Sequence, residues 1–141
     1  MKSDNILLND QGEVKLSDFG LTIRLSNASE QRTSKVGTAF WMSPELIQGD
    51  GYTNKVDIWS FGITLLEMAD GEPPFFKEPP LKALMLIRNG ASPTVRNPEK
   101  WSELMNQFCA CALAVKVDLE GSVECSRRNG LLRVSCWNIR F

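Results

Sequence analysis

Asp57-Ile58-Trp59-Ser60-Phe61-Gly62-Ile63-Thr64-Leu65-Leu66-Glu67-Met68 is the stretch on which the fold turns. Wound as a helix, its apolar residues Ile58, Trp59, Phe61, Ile63, Leu65, Leu66 and Met68 cover well over half the circumference. Such a helix needs partners on several sides, so it reads as the central helix of an α-rich domain. Ser60, Thr64 and Glu67 interrupt it, and it is too short and too polar to span a bilayer.

Toward the C-terminus, Gly71-Glu72-Pro73-Pro74 and Glu78-Pro79-Pro80 are rigid loop segments, and residues 81–87 form a short helix ending near Asn89-Gly90. Asn97-Pro98 is expected to cap the next helix, with Trp101, Leu104, Met105, Phe108 and Ala112 on one face. Residues 126–141 are apolar and basic without clear periodicity and receive no assignment. Toward the N-terminus, Ser43-Pro44-Glu45-Leu46-Ile47-Gln48-Gly49 predicts a short helix. Ser43 would be its N-cap, Pro44 its first residue and Gly49 its stop. Residues 21–35 are polar and weakly periodic, which predicts a mobile loop. Ile6-Leu7-Leu8 and Val14-Lys15-Leu16 flank the turn-rich Asn9-Asp10-Gln11-Gly12, which predicts a β-hairpin. The expected fold class is therefore mainly α with one small β-hairpin.

At 141 residues the chain fits one domain, and 43% hydrophobic with 23% charged residues is ordinary for a globular protein. A net charge of -1 and a pI near 5.5 give no basic excess that would favour nucleic acid. The N-terminus carries no apolar signal core, so a cytoplasmic or nuclear chain is expected. Cys109 and Cys111 have one residue between them, and the chain has no histidine. That favours reduced thiols over a zinc site or disulfides, with Cys125 and Cys136 read the same way.

A hairpin brings its two ends together, so Asn5 before the first strand and Asp18 after the second should be neighbours. An amide oxygen beside a carboxylate makes a hard-oxygen pair suited to Mg²⁺, and Lys2 nearby could hold a phosphate. The same residues serve equally as solvated loop side chains. Trp41 and Trp59 read as packing residues.

Lys2-Ser3-Asp4-Asn5-Ile6-Leu7-Leu8 resembles the second half of a protein-kinase catalytic loop, and Asp18-Phe19-Gly20 its D-F-G motif. Gly37-Thr38-Ala39-Phe40-Trp41-Met42 is similar to the substrate-facing loop, and Ser43-Pro44-Glu45 to A-P-E. Asp57-Ile58-Trp59-Ser60-Phe61-Gly62 resembles the start of the central kinase helix. The Lys-Ser-Asp-Asn wording and Gly71-Glu72-Pro73-Pro74 are similar to the PAK group of the sterile-twenty-like Ser/Thr kinases.

The resemblance implies a kinase C-terminal lobe over residues 1–125, followed by an atypical tail over 126–141. It implies ATP and Mg²⁺ as cofactors, with Asn5 and Asp18 holding the metal on the phosphates and Lys2 touching the γ-phosphate. Thr38 would position Lys2 and the catalytic Asp, Phe19 and Gly20 would serve structurally, and Asp57 would anchor the catalytic-loop backbone. Ser34, with Thr33 second, would be the regulatory phosphosite. Protein substrates, an upstream kinase and small-GTPase-linked regulators are the implied partners. No nucleic acid and no membrane span are expected.

By the same alignment the chain begins just after the H-R-D motif, leaving out the catalytic base and the N-lobe. The chain alone is then expected to be inactive, or to be a non-catalytic binding module or a truncated product without function. Two structural expectations follow. Glu45 would lack its late-domain Arg, since Glu120 occupies that position and only Arg127 and Arg128 are at hand. Ile58, Ile63 and Leu66 would not all be buried, because a helix that covers them in kinases precedes the catalytic loop.

Overall fold

The computed structural model describes residues 1–27 and 30–114. A two-stranded antiparallel hairpin, β1 (Ile6–Leu8) and β2 (Val14–Leu16), opens the chain. Its register pairs Ile6 with Leu16, Leu7 with Lys15 and Leu8 with Val14. Asn9 builds the connecting turn: its Oδ1 accepts from the amides of Gln11 (3.0 Å) and Glu13 (2.8 Å), the Asx-type bonding that makes this residue a turn former.

Four helices follow: α1 (Pro44–Gln48), α2 (Lys55–Asp70), α3 (Pro80–Asn89) and α4 (Glu103–Ala112). Three short 3₁₀ turns, Ser3–Asn5, Ala39–Trp41 and Pro98–Lys100, complete the described elements. The ends of α1 are as expected. Ser43 Oγ accepts from the Leu46 amide at 3.3 Å, Pro44 is the first helical residue, and Gly49 stops the helix at φ 78°, where a side chain would be strained. Residues 21–27 and 30–35 carry no helix or strand.

α2 is the hub. It packs against α4, the Ala39–Trp41 turn and the Ser3–Asn5 turn, while α3 lies on α1 and the Ala39–Trp41 turn. The core gathers Trp41, Trp59, Ile63, Leu66, Ile87, Val95, Cys109 and Leu113. Of the three α2 residues expected not all to be buried, Ile63 and Leu66 are 1% and 0% exposed and Ile58 is half-buried, so the shortfall among them falls on Ile58 alone. Side chains from α3, α4 and the Val95 loop enclose Ile63 and Leu66. Apolar surface is uncovered at Met68 near the end of α2, at Leu81 and Met85 on α3, and on and after the hairpin, where Leu7, Leu8, Val14, Leu16, Phe19 and Leu21 are exposed.

The next cap also differs from expectation. Asn97 precedes only the Pro98–Lys100 turn and makes no side-chain cap bond, whereas Ser102 Oγ accepts from the Met105 amide at 3.2 Å and starts α4. Trp101 therefore falls outside the helix, Leu104 is exposed, and the buried side of α4 runs through Met105, Cys109 and Leu113. Burial pushes the Cys109 thiol up, which suits an unreactive core residue. Among the described residues no helix is long and apolar enough to cross a membrane. Cys125, Cys136, Glu120, Arg127, Arg128 and the 126–141 tail lie outside the described residues.

A charged latch closes the far end of α2. Asp70 accepts from the Arg96 amide, and Glu72 takes the Arg96 guanidinium at 2.5 Å and Lys77 at 3.4 Å. The hydrogen bond from Arg96 is the main cause that holds the Glu72 carboxyl below its usual range. Stability from a lowered carboxyl is present above the ordinary glutamate pKa of about 4.3 and fades as pH falls through the lower folded value. Glu72→Gln should therefore be less stable than wild type at neutral pH, with the gap closing below about pH 4; urea midpoints measured across pH check this.

Gly62 marks the closest approach of α2 and α4. A Cβ there would meet Leu113 Cδ2 and Cγ at 2.9 Å and Ala112 Cβ at 3.1 Å. In an open helix Gly→Ala stabilises by about 1 kcal/mol. Here overpacking reverses the sign, and Gly62→Ala should destabilise by about 1–3 kcal/mol, read from urea unfolding.

Candidate functional site

The hairpin closes at its N-terminal end. The Asn5 carbonyl accepts from the Ser17 amide at 2.9 Å and from Ser17 Oγ at 3.2 Å, one residue beyond the Ile6–Leu16 pair. Asn5 and Asp18 are thereby brought to the same edge. Asp18 sits in the left-handed region at φ 60°, which Asp tolerates better than most residues. Its carboxylate accepts from the Gly20 amide at 3.4 Å.

Both side chains line a cavity of about 300 Å³. Lys2, Thr38 and Asp57 line the same space, so one cavity gathers residues from four separate stretches of chain. Lys2 Nζ pairs with Asp4 Oδ2 at 3.1 Å, and Asp57 is exposed in the first turn of α2. Phe19, Gly20, Thr33, Ser34 and Glu45 lie off this cavity. Phe19 is exposed and Glu45 half-buried.

The donor set is hard oxygen: one amide and one carboxylate, on a cavity that also admits an ammonium group. Among the described residues no group of three His, Cys, Asp or Glu side chains could hold a metal by itself. A pair of this kind fits a metal that brings further oxygens with it, as Mg²⁺ bound to phosphates does.

Two polar clusters beside the cavity were not legible in the sequence. Glu67, near the C-terminal end of α2, accepts from Ser3 Oγ at 2.6 Å and from Trp41 Nε1 at 3.1 Å. One carboxylate thus ties the turn carrying Asn5 to the loop carrying Thr38. The only signal was a charged residue on a helix that is apolar nearly all round. The second cluster centres on Tyr52, which is buried. Its backbone forms an antiparallel bridge with Arg32 through two 2.9 Å bonds, and its hydroxyl donates to the Ser34 carbonyl at 2.8 Å. That uses the phenol's one proton, so Ser34 Oγ, 3.0 Å away, donates to the Tyr52 oxygen.

Residues 1–122 match the family profile described as protein kinase domain. The chain is 50% identical over 124 residues to the serine/threonine-protein kinase SKM1 of Saccharomyces cerevisiae, covering 88% of this chain and 19% of that protein. It is 43% identical over 141 residues to pakA of Dictyostelium discoideum, covering 100% of this chain and 12% of that protein. It is 42% identical over 135 residues to PAK 1 of Mus musculus, covering 96% of this chain and 25% of that protein. These relatives are Ser/Thr kinases of the PAK and sterile-twenty-like group, and the chain spans a quarter of their length or less.

The Glu67 bridge is open to measurement. A leucine removes both acceptors, whereas a glutamine can still accept from Trp41 and donate to Ser3 Oγ. Leaving the Trp41 indole N–H unpaired should cost about 1–3 kcal/mol in Glu67→Leu, with Glu67→Gln losing less, read from urea unfolding; a Glu67→Leu midpoint equal to wild type would show that the bridge does not hold the two loops.

Proposed function

Since the chain belongs to the protein kinase family, we propose that it carries the metal-holding part of a Ser/Thr kinase site that moves the γ-phosphoryl group of ATP to a protein hydroxyl. The observation that supports this reading is the convergence of Lys2, Asn5, Asp18, Thr38 and Asp57 on one cavity. The Asn5 amide oxygen and the Asp18 carboxylate would hold Mg²⁺, and Lys2 would leave Asp4 to meet the γ-phosphate. Bound there, Mg²⁺ would neutralise charge on the phosphate oxygens as the phosphoryl group transfers. Thr38 would orient Lys2, and Asp57 would brace the backbone beneath it. Glu67 keeps the two loops in register through Ser3 and Trp41. Ser34, with Thr33 second, is the regulatory phosphosite in this reading, and both are exposed. An upstream kinase and small-GTPase-linked regulators would act there, in the cytoplasm or nucleus.

A chimera tests the proposal. The upstream part of the mouse relative's kinase domain is joined in frame to residues 1–141. It should phosphorylate a Ser/Thr peptide, and Asp18→Ala should lower the rate by on the order of 10²-fold or more. A folded, ATP-binding chimera without transferase activity would favour the non-catalytic binding module instead. By itself the 141-residue chain should bind Mg·ATP no more tightly than millimolar, since Lys2, Asn5 and Asp18 are the phosphate-facing groups on the cavity. Calorimetric titration checks this, and a micromolar affinity abolished by Asp18→Ala would overturn it.

A further inference from the structure

Arg32 and Ser34 stand two residues apart and both meet Tyr52, Arg32 through the backbone bridge and Ser34 through its hydroxyl. Exposed Thr33 lies between them. The Arg32 guanidinium is half committed: its Nη2 pairs with Glu30 Oε1 at 2.5 Å, while its Nε is buried and has no partner among the described residues. Glu30 is itself fixed by the Ser26 amide, which is the leading cause of its lowered pKa. The guanidinium is therefore held in place with one buried N–H donor unspent, and such donors are rare in folded proteins.

We propose that Arg32 Nε and the Tyr52 hydroxyl form a local receiver for a phosphate carried on Ser34. The proposal rests on the reading of Ser34 as the phosphosite. Esterification replaces the Ser34 hydroxyl proton, so the present donation from Ser34 Oγ to the Tyr52 oxygen ends. In its place stand three acceptor oxygens with a charge of about -1.5 to -2. Tyr52 can turn its one proton from the Ser34 carbonyl to a phosphate oxygen, and Arg32 supplies the charge-assisted bond that its Nε now lacks. Glu30 keeps hold of Nη2 while a small shift of the guanidinium turns the buried Nε toward the phosphate. The cation thus comes from the same loop as the phosphate, and the bridge to Tyr52 fastens that loop to the segment leading into α2. The isolated chain would then respond to phosphorylation without an Arg from the catalytic loop.

The full 141-residue chain with phosphoserine installed at position 34 by genetic code expansion tests this. Phosphorus NMR should place the second phosphate pKa about 0.5–1 unit below that of the same chain with phosphoserine at position 33, because an adjacent cation favours the dianion. Arg32→Gln should abolish the difference, and Tyr52→Phe should reduce it. Equal titration at the two positions, or a shift at 34 that survives Arg32→Gln, would overturn the proposal. If either variant loses its near-ultraviolet circular dichroism, the unsubstituted chain decides. Its Arg32 Nε–H resonance should move downfield on phosphorylation, and an unmoved resonance would equally overturn the receiver. Because the phosphate is installed directly, that failure would leave Ser34 as a phosphosite intact. Conversely, failure of any upstream kinase to modify Ser34 would leave the receiver intact.

Discussion

Everything in this structure is arranged to cover α2. A helix apolar on nearly all sides cannot stand in water, and each wall of the domain is a response to one of its faces. α4 closes on Gly62, where a missing side chain lets Leu113 and Ala112 approach within contact of the helix backbone. Trp41 and the Ala39–Trp41 turn close a second side, and that turn in turn carries α3. Burial at about 25 cal/mol per Å² makes residues such as Ile63 and Leu66, with almost no exposed surface, the main source of cohesion.

Apolar packing alone would let these walls slide. Hydrogen bonds along α2 prevent it. Buried Ser60 donates its Oγ hydroxyl to the Trp41 carbonyl at 2.8 Å, a bond that an apolar residue there would remove. Thr64 returns its hydroxyl to the Ser60 carbonyl at 2.9 Å, so it is buried without an unpaired polar atom. Glu67, two turns along from Ser60, fixes the Ser3–Asn5 turn and the Trp41 ring at once. The turn carrying Asn5 and the loop carrying Thr38, which both reach the cavity, are thus fastened to the same helix.

What the sequence revealed follows the range of the interactions. The hairpin and α1 were legible because turn and cap chemistry is local: Asn9 closes on Gln11 and Glu13, and Ser43 on Leu46. The start of α4 was misplaced because two similar signals, Asn97-Pro98 and Ser102, stand five residues apart and only the second makes the capping bond. Which of Ile58, Ile63 and Leu66 would be covered was not legible, because the cover over Ile63 and Leu66 comes from residues distant in sequence, such as Ile87 and Leu113. Lys2, Asn5, Asp18, Thr38 and Asp57, which line one cavity, were singled out through the order and spacing of several short motifs, each weak alone. Glu67 and Tyr52 were not, because a lone carboxylate or phenol in a sequence carries no sign of the donors or acceptors that folding will bring to it.

The span of the Glu67 bridge bears on the order in which the chain assembles. Its bond to Ser3 joins residues 64 apart in sequence, whereas Trp41 is 26 residues away. Closing the longer loop costs more chain entropy and returns little beyond the Ser3 hydrogen bond and the contact of the Ser3–Asn5 turn with α2, since the hairpin keeps most of its apolar side chains in water. The helical body can therefore form first, with the N-terminal hairpin docking last and detaching first. Such a segment opens at a free energy well below that of global unfolding. Asn5 and Asp18, the pair proposed to hold the metal, sit on that segment, so the strength with which they would grip a ligand would be set partly by how firmly Ser3 holds Glu67.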